Sequence, residues 1–354
     1  MSKKQAVAII ILAVLAGWVF NLFAGRFLTA RISTWPLLNR WKILSPQAPI
    51  VINNHDTIRV SDSGDVAAAA SDVKSKISSI ALVNGSAVIF SGTAVNLTSD
   101  GSFVTAAGSF KAKPVGAYYV VLNDGTFAKI TQQTTDPATS LVFFKAQLSG
   151  VPAAGLGDSS QIAVGDKVLF AKDSLQKFNV QAETADVSQA QTDVEGQVFQ
   201  SDFPSRSFLA ATDSVLSPGT AVVATSGDVA GIWNGSMIVS SDALKQAMAL
   251  YFNNPQAIAR PGFGFFYSIV TQSDSKLINL PEGAMVREVD LNSPARAAGL
   301  EVNDIITAIN GQAINQDTPL EPQLEQFKPG SQMALTVARK NQTVNLNLTV
   351  GELK

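Results

Sequence analysis

The sequence predicts a mainly β fold behind a single N-terminal apolar helix, and three observations predict it. Strand-like runs separated by turn residues recur at 79–90, 93–97, 102–107, 117–123, 126–131 and 140–147. Short strands at this spacing suggest an all-β barrel. Two hairpin signals sit among them, Ser99-Asp100-Gly101 and Asn123-Asp124-Gly125, because Asp-Gly accommodates the positive φ angles that tight hairpin turns need. Residues 6–24, AVAIIILAVLAGWVFNLFA, form an almost unbroken apolar run with Asn21 as its only strongly polar member.

That run spans about 28 Å as a helix, close to the roughly 30 Å hydrocarbon core of a bilayer. It is long for the core of a cleaved signal peptide and lacks a clean Ala-x-Ala site, so an uncleaved anchor is the favoured expectation. Lys3 and Lys4 precede it, and Arg26, Arg31, Arg40 and Lys42 follow. Basic residues on both sides leave the orientation open. After it, Trp35, Leu37, Leu38, Trp41, Ile43 and Leu44 alternate with cations. These side chains suit either the headgroup layer or packing on a folded domain or neighbouring subunit.

Composition narrows the chemistry. The 354 residues suit two domains, or two plus an anchor. Charged residues make up 15% of the chain and the net charge is −2 without a long basic run, so nucleic acid is not an expected partner. The absence of cysteine excludes disulfides, thiolate catalysis and Cys-based metal sites. A single histidine, His55, excludes a multi-His metal site and leaves one imidazole for any relay. No cofactor and no metal is expected.

Taken in order, DVAAAASDVKSKIS (65–78) is a helix candidate with Val66, Ala69, Val73 and Ile77 on one stripe. The strand-like runs follow, and GVPAAGLGDSS (150–160) is a Gly/Pro/Ser loop that separates two barrels. Further strands are expected near 178–185, 194–200 and 207–212. A helix over 241–252 has Ser241 as its expected N-cap and Asp242 in its first turn.

Several of these stretches resemble, in order, the HtrA/Deg proteases, in which a trypsin-like double barrel precedes PDZ domains. In the first barrel, SDGSFVTAAG (99–108) resembles the hairpin that leads to the family's histidine. Val164-Gly165-Asp166 resembles a run before a second-barrel strand, and LSPGTAVVA (216–224) followed by GDVAGI (227–232) resembles the nucleophile loop and its next strand. From Arg260 the resemblance is to a PDZ domain. It rests on Gly262-Phe263-Gly264-Phe265, on SPARAAGL (293–300), on NDIITAING (303–311), on a helix over 320–327 and on two closing strands. The implied organisation is an anchor over 1–25 and a juxtamembrane linker over 26–64. A double barrel follows over 65–240 (65–150 and 160–240), then a linking helix over 241–259 and a PDZ domain over 260–354. Family members often trimerise through such N-terminal segments, so a homotrimer is an expectation of the resemblance. The extracytoplasmic side of the membrane is another.

Carried over position by position, the family's Ser-His-Asp relay falls on Ala221, Gly108 and Ser140. Two glycines that follow the family nucleophile become Val222 and Val223, and β-branched valine resists the tight turn of an oxyanion hole. His55 precedes the first barrel strand, where a solvated or locally bonded imidazole is the ordinary expectation. A Ser–Lys dyad needs no histidine, but no serine pairs visibly with Lys145 or Lys167. The sequence therefore predicts no catalytic residue and a protein that is not an enzyme. It would be a pseudoprotease acting as scaffold, adaptor or chaperone in protein quality control. The alternative is an active serine endopeptidase with a non-standard arrangement. Peptide binding would fall to the PDZ groove, with C-terminal or extended peptide segments as partners. Gly262, Phe263, Gly264, Phe265 and Phe266 would form the carboxylate loop and its strand, and Leu320 and Leu324 the far wall.

Overall fold

The computed structural model describes residues 63–173, 180–190, 198–203, 207–211, 215–340 and 342–353. The apolar run 6–24, the segment after it and His55 lie outside the described residues. Among the described residues no helix is long and apolar enough to cross a membrane.

The chain opens with helix α1 (Ser63–Lys74). The expected helix ran four residues further. Instead the Lys76 amide bonds the Val73 carbonyl, and Ile77 opens a strand. β-branched Ile77 followed by Ser78, Ser79 and Ile80 prefers extended backbone, while Val73 and Ile77 still bury in one cluster. The first barrel comprises β1 (Ile77–Asn84), β2 (Ala87–Asn96), β3 (Ser102–Ala106), β4 (Ala117–Val121), β5 (Phe127–Thr135) and β6 (Leu141–Ala146). They close in the order β1-β2-β3-β6-β5-β4. The run 79–90 is two strands rather than one. Asn84-Gly85 turns the chain, with Asn84 opposite Ala87 and Gly85 at φ 57°.

The second barrel uses β7 (Lys167–Asp173), β8 (Val180–Ala190), β10 (Ser207–Ala211), β11 (Ala221–Ala224), β12 (Val229–Trp233) and β13 (Ile238–Ser240). It closes as β10-β13-β12-β11-β7-β8. The intervening β9 (Phe199–Gln200) was expected as a barrel strand, but it joins the C-terminal domain instead. Helix α2 (Ser241–Asn253) follows. Its cap is Ser240, whose hydroxyl accepts from the Ala243 amide, while the Ser241 hydroxyl donates to the Gly157 carbonyl. Leu244, Ala247 and Tyr251 on this helix pack with residues of both barrels, and Tyr251 stacks on Phe143.

The C-terminal domain contains β14 (Pro261–Gly262), β15 (Phe265–Val270), α3 (Gln272–Ile278), β16 (Gly283–Val289), α4 (Pro294–Ala297), β17 (Ile305–Ile309), β18 (Gln312–Ala313), α5 (Leu320–Leu324), β19 (Gln332–Arg339), β20 (Gln342–Thr349) and β21 (Gly351–Glu352). Its main sheet runs β20-β19-β17-β16-β15-β9. Phe263, Phe265, Val286, Ile306, Leu320, Leu324, Met333 and Leu348 form its core.

Barrel and C-terminal domain are joined by a buried ion pair. The Arg260 guanidinium donates to both oxygens of Asp136, Nε to Oδ1 at 2.9 Å and Nη2 to Oδ2 at 2.8 Å. Asp136 is 0% exposed, and it also accepts from the Thr139 hydroxyl and the Ala138 amide. A buried carboxylate survives only with such complete pairing.

Candidate functional site

Two regions were expected to carry chemistry, and their geometries differ. The first is the meeting of the barrels at positions 108, 140 and 221. Gly108 lies in a short turn after β3, and a Cβ built there would stand 3.1 Å from Pro218 Cγ. Pro218 precedes β11 in the loop of the second barrel. Its carbonyl accepts from the Thr93 amide at 3.1 Å and from the Ser109 hydroxyl at 3.3 Å. Gly219 sits at φ 80°, and its missing Cβ would fall 1.9 Å from the Thr93 carbonyl oxygen. The second barrel's loop is thus seated directly on β2 and on the Gly108 turn. Behind it, the Thr105 hydroxyl donates to the Thr93 carbonyl at 2.6 Å and lies 2.8 Å from the Ser109 hydroxyl. Thr93 Oγ1 is buried without a hydrogen-bond partner among the described residues, an arrangement that costs about 1–3 kcal/mol.

Ser140 reaches the same neighbourhood through its backbone, its carbonyl accepting from the Ala107 amide at 2.8 Å. Its φ is 56°. Ala221 is fully buried and begins β11, opposite Ile232 on one side and Ala171 on the other. Val222 and Val223 continue that strand between the same two neighbours. Their amides therefore belong to a ladder and not to an inward-turned loop. At these three positions there is no imidazole–carboxylate–hydroxyl relay.

Among the described residues a serine–lysine pair occurs at the hairpin of the first barrel. Lys145 Nζ donates to Ser102 Oγ at 3.3 Å, but it is also ion-paired to Asp100 at 2.6 Å. Lys145, then Thr98, holds the Asp100 carboxyl below its usual range. An ammonium committed to a carboxylate has no lone pair for base chemistry, and Ser102 is itself buried.

The second region is the edge of β15. Gly264 is at φ 75°, and a Cβ there would meet Ser293 Cβ at 2.2 Å, so only glycine fits the loop. The amides of Phe263 and Gly264 point to one place, where both donate to Asp202 Oδ1, at 2.7 and 3.0 Å. The Phe265 amide donates to the Ser201 hydroxyl at 3.1 Å, and the Ser201 amide donates to the Phe265 carbonyl at 2.9 Å. Gln200 and Phe199 pair with Phe266 and Tyr267 as an added antiparallel strand. Phe199 is buried and stacks on Tyr267.

The remaining expected groove residues divide. Gly262 pairs with Gly351, and its close neighbour is the Leu353 amide, so its lack of a side chain serves the β14–β21 contact. Phe265 and Leu320 are core residues. Phe263 and Leu324 face a cavity of about 500 Å³ that Leu250 and Phe327 also line, together with Ser201 and Asp202. Leu320 lies on a different, smaller hollow beside Ile269 and Ala284. Sequence reasoning missed Phe199, Ser201 and Asp202, whose partners lie more than sixty residues away, as in the Asp202–Phe263 bond. No local pattern marks them.

Comparison with known proteins agrees with this architecture. A family model described as PDZ domain matches residues 268–350. The chain aligns at 28% identity over 250 residues with a "Probable periplasmic serine endoprotease DegP-like" of Brucella suis biovar 1 (strain 1330). That match covers 67% of this chain and 48% of the relative. A protein of the same description from Chlamydia trachomatis serovar D is 26% identical over 260 residues, covering 67% and 50%. The solved structure "HtrA-type protease AlgW with tripeptide" superposes with a TM-score of 0.61 at 22% identity, covering 81% of this chain and 97% of that one. In sequence and in fold the chain is thus similar to the HtrA/Deg proteases. It spans about half the length of the curated relatives it matches. The two barrels have the trypsin-like fold and the C-terminal domain is a PDZ domain.

The matches correct one expectation. The sequence predicts a protein that is not an enzyme, yet the relatives it matches are named serine endoproteases. The assignment of the relay positions to Gly108, Ser140 and Ala221 rests on the resemblance alone, and relays without histidine are known chemistry. These positions do not argue for inactivity.

Proposed function

We propose that this HtrA/Deg protein works in extracytoplasmic protein quality control and recognises peptide chain ends at its PDZ groove. One observation carries the reading: the Phe263 and Gly264 amides converge on a single carboxylate oxygen at the end of a strand added to β15. Convergent amides at a glycine turn are an anion site, and strand addition supplies affinity without sequence restriction. The names of the periplasmic relatives support the location. The length of run 6–24 supports a single-pass anchor with residues 26–354 on the extracytoplasmic side. The family resemblance alone supports a homotrimer.

The test is fluorescence polarisation of a labelled decapeptide ending in Phe-Gln-Val, as free carboxylate and as C-terminal amide, with the full chain in detergent. Saturable binding of the acid, at least about tenfold tighter than the amide, is expected, because the two amides then face a charged acceptor. Equal binding of the two peptides sinks the chain-end reading.

A second reading is favoured by the relatives' names: hydrolysis by a non-standard arrangement of a serine endopeptidase. Ser217 and Thr220 flank the loop seated on the Gly108 turn, with the Thr220 hydroxyl donating to the Ser217 carbonyl at 2.7 Å. A fluorophosphonate probe followed by peptide mapping is expected to mark one hydroxyl, with casein cleaved in parallel. An unlabelled protein that leaves casein intact removes this reading.

A further inference from the structure

We propose that the PDZ groove is held by the chain's own segment Phe199–Asp202, an internal stand-in for a peptide terminus, and that a chain end with an apolar last side chain displaces it. This rests on the chain-end reading above.

The segment lies between strands β8 and β10 of the second barrel, yet its bonds go to the PDZ domain. Each element of chain-end recognition has a counterpart in it. The added strand is Phe199–Gln200 on Tyr267 and Phe266. The Ser201 amide bonds the Phe265 carbonyl, which places Ser201 where the last residue of a ligand would stand. A terminal carboxylate would come next, and in its place the Asp202 side chain offers Oδ1 to the Phe263 and Gly264 amides. Asp is the one common residue that brings a carboxylate within a single methylene of the backbone, so an internal residue can imitate a chain terminus there. Phe199, two residues earlier, supplies the buried aromatic anchor against Tyr267.

The imitation is incomplete in one respect. The cavity beside Ser201 is lined by Phe263, Leu324, Phe327 and Leu250, and a serine hydroxymethyl leaves it unfilled. A terminus ending in valine or leucine would add apolar burial there, in proportion to the area it covers. The internal segment has the advantage of being tethered, since its effective concentration is high, whereas a free terminus has the advantage of fit. The two compete for the same amides. A self-occupied groove lowers the apparent affinity for an outside peptide by the fraction of molecules that stand open.

The test uses the full chain and the same Phe-Gln-Val decapeptide acid. Asp202→Ala removes the carboxylate of the resident segment and leaves every PDZ residue in place. It is expected to tighten peptide binding by about tenfold or more, the reverse of what loss of a ligand contact would do. Circular dichroism checks that the variant is folded. Hydrogen exchange on the unmodified chain gives an independent readout. Saturating peptide should speed exchange of the Ser201 amide as its bond to Phe265 is released. Peptide that binds equally to both forms, or binds while Ser201 stays protected, overturns the resident-segment proposal and leaves chain-end recognition standing. No binding to either form removes the chain-end reading and this proposal with it.

Discussion

The barrel interface and the PDZ groove are both places where the HtrA/Deg fold brings distant residues together, but they depend on sequence in opposite ways. At the interface, chemistry would reside in three side chains, and the family resemblance assigns those places to Gly108, Ser140 and Ala221, beside which Pro218-Gly219 packs onto the first barrel. At the groove, the proposed binding would reside in backbone amides that any residue supplies once Gly264 permits the turn. A single substitution can therefore change the chemistry of the first region, while the second persists as long as the fold does. A binding site made of backbone is more durable than a relay made of side chains.

The joint between the two regions gives the largest expected effect. Arg260→Ala leaves Asp136 fully buried with its charge unpaired. Breaking such a pair costs about 3–5 kcal/mol, although the isolated worth of the pair is much less. Urea unfolding should show that loss, and Arg260→Lys should recover only part of it, because an ammonium cannot serve both oxygens in the fixed fork of a guanidinium. A loss below about 1 kcal/mol for Arg260→Ala would mean that the barrel and PDZ domains are held together by other contacts.

Two glycine substitutions sharpen the contrast next. Gly219→Ala and Gly264→Ala each force a Cβ into a positive-φ residue and against a close neighbour, the Thr93 carbonyl in one case and Ser293 Cβ in the other. Each should cost about 2–4 kcal/mol from backbone strain and overpacking. Their effects on binding should part. Gly264→Ala should abolish capture of the Phe-Gln-Val peptide by folded protein, whereas Gly219→Ala should leave the affinity of the folded fraction unchanged. If Gly219→Ala also abolished binding, the groove would depend on the barrel interface and the two regions would not be separable.

Much of the fold was legible because it is written in local signals. Asp-Gly turns, alternating strands and the PDZ loop glycines each act within a few residues, and the element order follows from them. Sequence and structure part where one local signal is outvoted by another. Asn84-Gly85 is as strong a hairpin signal as Asn123-Asp124-Gly125, yet the run 79–90 reads as continuous apolar strand until the turn is seen. Ile77 fits the helical stripe of α1 by spacing, but its β-branched side chain and the serines after it favour the strand. The occupant of the groove was not legible at all. Ser201-Asp202 is an ordinary polar pair in a connection between strands, and only three-dimensional proximity to Phe263 gives its carboxylate a role. The same holds for Asp136, which resembles a turn residue before Pro137 until Arg260 is placed beside it.

The smallest expected effect tests how tightly the barrel interface packs at position 108. Gly108 has no positive φ to forbid a side chain, so the obstacle to a histidine there is Pro218, with its Cγ 3.1 Å and Cβ 3.3 Å from the Cβ that would be added. Such contacts are tight without being impossible, and relief requires the Pro218 ring to shift by a few tenths of an ångström. That ring belongs to a loop whose carbonyl is already bonded to Thr93 and Ser109, so the shift disturbs those bonds. Gly108→His should therefore cost about 1–2 kcal/mol, and the cost should depend on Pro218. In a double-mutant cycle with Pro218→Ala, two residues in contact should couple by about 0.5 kcal/mol or more, the double variant being more stable than the sum of the single losses. An additive cycle would mean that the loop yields freely, and that the cleft at position 108 has room for an imidazole that this sequence simply does not supply.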